Sequence, residues 1–130
     1  MKYMIIMTAS KKDLQSFGTR LTLDELKAHV GFMKQLNEEL KGTGEYVDAQ
    51  GLTGPETTRL VRAQSGGPPV VTDGPFPETK EYLAGYWILE VKSWERMVEI
   101  AARISGAPGP GGKPMNFPVE IREVAAAPPV

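Results

Sequence analysis

Two apolar runs, YMIIM at residues 3–7 and YLAGYWILEV at 82–91, each stand upstream of a segment whose apolar residues recur at helical spacing. That double succession of strand and helix most constrains the fold. Residues 2–8 are almost continuously apolar, which suits a strand buried on both faces. Downstream, TLDE at 22–25 has the spacing of a capping box, in which Thr22 caps the amide of Glu25 and Glu25 reaches back. Leu23, Leu26, Val30, Met33, Leu36 and Leu40 then form one stripe, with Lys27, Lys34 and Lys41 off it. This predicts an amphipathic helix of about five turns, ended by the glycines of KGTGE. The second run is followed by Ser93 as a cap and by a stripe of Trp94, Met97, Val98, Ala101 and Ile104. Glu99 and Arg103 have i,i+4 spacing on its solvent side, and Ser105-Gly106 stops it.

The remaining pieces are short. Residues 45–52, 57–63 and 70–72 read as extended segments separated by Gly54-Pro55 and SGGPP, the punctuation of a hairpin or meander. Phe117, Val119 and Ile121 alternate with Glu120 and Arg122, a half-exposed strand with Pro118 near its start. Residues 10–21 read as a polar connection, APGPGGKP at 107–114 as a flexible loop, and 125–130 as a flexible tail. The order is strand, helix, strands, strand, helix, strand. It predicts an α+β domain over 1–124 of the ferredoxin-like, split βαβ kind, with an inserted hairpin. Two helices cover one face of such a sheet. Tyr82, Tyr86, Trp87, Phe117 and the methionines supply more apolar area than that, so the expected partner is a second copy, sheet face to sheet face.

Composition removes several functions. The chain has 130 residues, 15 basic and 16 acidic, for a net charge of −1. One domain with a real core is expected. Nucleic acid and anionic membranes are not expected as partners. No run approaches the roughly 20 apolar residues of a spanning helix. The apolar stretch at 3–7 is shorter than the ~7–15 residues of a signal-peptide core. With no cysteine there is no disulfide framework and no thiolate chemistry, which fits a cytoplasmic setting. A single histidine, His29, is a poor start for a transition-metal site, and no metal or cofactor is expected. The 107–114 loop is not a phosphate loop. Ala107 stands where that pattern needs Gly, Pro114 stands where it needs Ser or Thr, and Pro114 lacks an amide.

The candidate site residues lie mainly in VVTDGPFPETKEYLAGYWILEV, residues 70–91. Asp73 before Gly74-Pro75 admits two readings. It is an Asx-type turn, or it is a carboxylate presented by a stiff loop. Pro75 and Pro77 each fix φ and restrict the residue before them. Phe76 is expected to be at least partly buried, pinning the loop. Glu78, Lys80 and Glu81 are either local charge pairs on a solvated turn or the wall of a site. His29 borders the apolar stripe of its helix. It is a boundary histidine with one nitrogen in water, or a general base facing a cleft. Arg59 and Arg62 fall on opposite faces of a strand, whereas Glu120 and Arg122 share one.

The same segment, VTDGPFPETKEYLAGYWILEV, closely resembles the signature of the YCII-related, DGPF-type proteins. The similarity continues through ERMVEIAARI and VEIREV, and upstream through NEEL, Gly51-Leu52 and TTRLVR. Asp73, Gly74, Pro75, Phe76, Thr79 and Lys80 stand where the family has them. The 105–114 loop and the AAAPPV tail depart from it, and DGPF members often carry an apolar residue where His29 stands. The resemblance implies a YCII-related domain over 1–124 that dimerises as an α+β barrel. Related YCII proteins carry a His–Asp pair suggested to be catalytic in a cleft, and His29 and Asp73 are its candidates here. The expectation is a homodimer that binds a small organic molecule, with Phe76, Lys80 and Glu81 contacting it. Any catalysis would be cofactor-free acid–base chemistry of isomerase or lyase type. The alternative is a non-catalytic sensor or interaction module, since members are often encoded near extracytoplasmic-function sigma factors.

Overall fold

The computed structural model describes residues 1–74 and 76–129. Chain order is β1 (Lys2–Ser10), α1 (Lys11–Arg20), α2 (Leu23–Thr43), β2 (Tyr46–Gly51), β3 (Leu60–Arg62), β4 (Val70–Thr72), β5 (Glu81–Glu90), α3 (Trp94–Ser105) and β6 (Glu120–Glu123). Short 3-10 turns occupy Pro55–Thr57 and Pro110–Gly112. The main sheet has the order β2-β5-β1-β6 and is antiparallel throughout. β1 and β2 both oppose β5, so they are parallel with β5 between them. β5 and β6 flank β1 in the same way. Two βαβ units are thus interleaved, an α+β arrangement compatible with the ferredoxin-like fold. β3 and β4 pair only with each other, as the inserted hairpin.

The helices form where their caps dictate. Thr22 Oγ1 accepts from the Glu25 amide at 3.1 Å, and Glu25 Oε1 accepts from the Thr22 amide at 2.9 Å. Both halves of the capping box are therefore made. Ser93 Oγ caps α3 by accepting from the Arg96 amide at 3.1 Å. The core joins Tyr3, Ile5, Trp87 and Leu89 of the sheet to Leu36 and Leu40 of α2 and Met97, Ile100 and Ile104 of α3. Ile5 lies opposite Trp87 on one side and Ile121 on the other. Each fully buried aliphatic side chain here contributes about 1.5–3 kcal/mol. Buried Trp87 keeps its polar atom satisfied by donating from Nε1 to Asn37 Oδ1 at 2.7 Å.

Several expectations are corrected. Residues 11–20 are not a polar connection but α1, capped by Ser10 Oγ accepting from the Asp13 amide at 3.2 Å. β1 is buried on one face only: Tyr3 and Ile5 are buried, while Met4 and Ile6 on the other face are half-buried. The stripe of α2 is buried at Leu36 and Leu40, whereas Leu23 and Val30 are exposed. On α3 the buried face centres on Met97, Ile100, Ala101 and Ile104, and Trp94 and Val98 are exposed. Arg103 pairs with Glu39 of α2 at 2.8 Å rather than with Glu99. Glu99 pairs with Arg96, whose guanidinium also donates to both oxygens of Glu45 at 2.9 Å. The last strand is shorter than its alternation suggested, beginning at Glu120.

Residues 107–114 form a closed strap. Pro108 bridges to Pro114, the Gly109 amide donates to the Lys113 carbonyl at 2.8 Å, and the Met115 amide donates to the Ala107 carbonyl at 2.9 Å. Its arms approach so closely that a Cβ on Gly109 would lie 2.6 Å from Met115 Cγ, which is why glycine stands there.

Candidate cleft between helix and strap

α1 lies over the ends of β1 and β5 and touches the 55–57 turn, while α2 touches the 110–112 turn. Between them opens a cleft of about 720 Å³, within the size range of small-molecule sites. Its apolar wall includes Met7, Leu14, Phe17, Met115 and Phe117. Its charged and ionisable lining is Asp13 and Arg20 from α1, His29 from α2 and Glu81 at the start of β5. Asp13 and Arg20 face it because the Ser10 cap turns the chain into a helix as it leaves the sheet.

His29 is held on two sides. Phe17 meets its ring edge-on at 5.2 Å between centroids. Its Nδ1 lies 3.0 Å from the Pro108 carbonyl oxygen. A carbonyl only accepts, so Nδ1 carries the proton in this bond. The neutral ring then has its lone pair on Nε2, and among the described residues Nε2 has no hydrogen-bond partner. A half-buried imidazole with an unprotonated nitrogen beside an apolar cleft is equipped to accept a proton.

Of the residues singled out from sequence, His29 and Glu81 share this cleft. Asp73, Phe76 and Lys80 do not line it. Asp73 is exposed just after β4, and Gly74 follows at φ 119°, a conformation that suits glycine. Pro75 lies outside the described residues. Phe76 is half-buried, as expected of a peg, with its ring edge-on to buried Tyr82 at 6.1 Å. Lys80 does not pair with a neighbouring carboxylate among the described residues. Its Nζ sits 5.2 Å from the Phe76 ring centre and 5.3 Å from that of Tyr82. Arg59 and Arg62 are exposed on or beside the hairpin. Glu120 and Arg122 share a face of β6 without an ion pair between them among the described residues.

The sequence reading missed Asp13, Phe17, Arg20 and Met115. A signal for the first three was present: Ser10-x-x-Asp13 directly after a strand is a capping signature. Met115 follows a Gly/Pro-rich stretch whose closure depends on long-range partners.

Elsewhere, shifted ionisations mark structural joints. The hydrogen bond from Arg96 holds Glu45 below the usual carboxylate range against partial burial, assisted by Thr43. Glu25 is lowered by accepting from the Thr22 amide and then from that of Gly111. Tyr86 is raised because its hydroxyl donates to Asp48 at 2.8 Å. No described helix is long and apolar enough to cross a membrane.

Comparison with known proteins yields two findings. An uncharacterised protein of Rhizobium meliloti (strain 1021) is 32% identical over 71 residues, covering 55% of this chain and 53% of that protein. The chain thus spans about half the length of this curated relative. Residues 1–107, which include β1 to α3 and the DGPF segment, match the YCII-related domain, and the chain belongs to that family.

Proposed function

We propose that the protein binds a small organic molecule in the cleft beneath α1 and moves a proton on it without a cofactor. The observation that carries this reading is His29. Its Nδ1 is occupied by a backbone carbonyl, and Nε2 is left as acceptor beside a mainly apolar cleft. The reaction class is abstraction of a proton from an acidic C–H or O–H and its return elsewhere, as in an isomerisation, or loss of a leaving group, as in a lyase step. Asp13 and Glu81 are the carboxylates that share the cleft within one chain. Asp73, Phe76 and Lys80 stand outside this lining.

The test uses a panel of small cyclic and aromatic carbonyl compounds in deuterium oxide. Protein-dependent exchange of a ligand C–H, lost in His29→Gln, is expected. Binding mapped to Phe17, His29 and Met115 without exchange would reduce the reading to a binding module. Perturbations confined to other surfaces would end it. Glu81→Gln and Asp73→Asn separate the carboxylates. A loss of exchange with the second alone would bring Asp73 to the reacting group.

We further propose that the working form is a dimer of this chain in the cytoplasm. On the sheet face away from the helices, Met4, Ile6, Tyr86 and Ile88 form a half-buried apolar block bordered by Asp48, Gln50, Glu120 and Arg122. The β3–β4 hairpin exposes Leu60, Val61, Val70 and Val71, and a two-stranded hairpin is marginal by itself in water. Light scattering at micromolar concentration should return twice the 14.2 kDa of one chain.

A further inference from the structure

The strap and the histidine are joined twice to the same face of α2. Glu25 and His29 are four residues apart, so they lie one turn above each other. Glu25 uses one carboxylate oxygen to close the capping box with the Thr22 amide at 2.9 Å. Its other oxygen accepts from the Gly111 amide at the tip of the strap. One turn later His29 donates from Nδ1 to Pro108 at the strap's base. The strap is stiffened between these points by the Gly109–Lys113 and Met115–Ala107 hydrogen bonds, so holding its tip holds its base.

We infer that Glu25 is a positioning residue for His29: by anchoring the strap it keeps the Pro108 carbonyl in place, and that carbonyl selects the Nδ1–H tautomer. The protonated nitrogen of a histidine is set by the hydrogen bond that nitrogen makes. An imidazole released from such a bond in water favours the opposite, Nε2–H tautomer. That form would present a donor to the cleft in place of an acceptor. The same anchor holds the wall of the cleft, because Met115, Phe117 and Pro118 follow directly from the strap. Glu25 therefore bears on a group it does not touch, and needs no contact with a ligand to do so.

Long-range proton–nitrogen NMR of the one imidazole reads the tautomer directly, at a pH where the ring is neutral and with no ligand present. Wild type is expected to show predominantly Nδ1–H. Glu25→Ala should move the majority to Nε2–H and speed hydrogen exchange at the Met115 amide. Thr22→Ala removes the helix cap but leaves the Glu25–Gly111 bond, and should leave the tautomer as in wild type. A predominantly Nε2–H wild type would overturn the inference with no variant needed. So would an unchanged tautomer in a folded Glu25→Ala, or the same switch in Thr22→Ala, which would make the effect one of helix capping alone. The measurement involves no turnover, so its failure leaves the cleft reading standing, and failure to find a ligand leaves the tautomer result standing.

Discussion

At the scale of single residues, the firmest consequence of the structure is the Glu45–Arg96 joint. Arg96 forks onto both Glu45 oxygens, and the Glu45 side chain is only 13% exposed. Charge-assisted hydrogen bonds of this kind contribute about 1.5–3 kcal/mol, and Glu45→Gln is expected to lose an amount in that range on chemical denaturation. Because the folded carboxyl is held below its ordinary value of 4.5, its stabilisation is complete above that value. It is lost as the pH falls through the folded value. Denaturation midpoints followed downward from about pH 6 should therefore fall more steeply in wild type than in Glu45→Gln. Phe76 offers a second test. It is half-buried and packs edge-on to Tyr82, so Phe76→Ala should cost less than the ~3–5 kcal/mol of a fully buried phenylalanine. A loss of about 1–2 kcal/mol is expected from the ring pair and partial burial. A melting temperature equal to wild type would show that the ring does not pin the loop.

At the scale of elements, α2 behaves as two different helices. Its second half buries Leu36 and Leu40 completely under the sheet, while Leu23 and Val30 in its first half stay exposed. Leu36→Ala should therefore cost about 2–5 kcal/mol. Val30→Ala should stay within about 0.5 kcal/mol, although both residues belong to the same periodic stripe. Paired urea titrations decide this, and a large loss at Val30 would mean that the first half of the helix is covered in solution. α1 depends on its ends more than on burial, since none of its residues is fully buried. Ser10→Ala removes its N-cap at a cost of about 0.5–2 kcal/mol. The expected readout is faster amide exchange in residues 11–20, with the global midpoint little changed. Because α1 carries Asp13, Phe17 and Arg20, such fraying would also loosen one wall of the cleft.

At the scale of the whole molecule, the open sheet face and the hairpin are apolar surfaces that the described residues of one chain leave without cover. Their cover by a second copy is the dimer proposed above. It makes a prediction that separates assembly from folding. Ile88 is half-buried on the open face, away from the core residues Trp87 and Leu89 that precede and follow it. Ile88→Lys should leave far-ultraviolet circular dichroism unchanged and convert the dimer to a 14.2 kDa monomer in light scattering. A charged side chain cannot be desolvated there without a partner. A variant that keeps the mass of wild type would show that this face is not the interface.

The sequence by itself determined the elements whose causes are local. Thr22 and Glu25 close a capping box four residues long, Ser93 caps α3, and glycine ends α2. The 3.6-residue stripes mark α2 and α3 and the two long apolar runs mark β1 and β5, although only part of each stripe is buried. Together they prescribe the interleaved α+β order. Only the tertiary structure decided what depends on residues distant in the chain. It made 107–114 a strap closed by its own backbone hydrogen bonds and tied to α2, where His29 and Glu25 meet the Pro108 carbonyl and the Gly111 amide. It re-paired Arg103 with Glu39 in place of Glu99, because the packing of α3 beside α2 brings that carboxylate within reach, and it joined Arg96 to Glu45 beyond the end of α2 as well as to Glu99 on its own helix. It gathered His29, Asp13, Arg20 and Glu81 around one cleft and left Asp73 outside it. Hydrogen bonding and periodicity within a turn act over a few residues and can be read from the chain. Which side chains share a cavity is settled by how the sheet and helices pack, and a linear pattern does not carry that information.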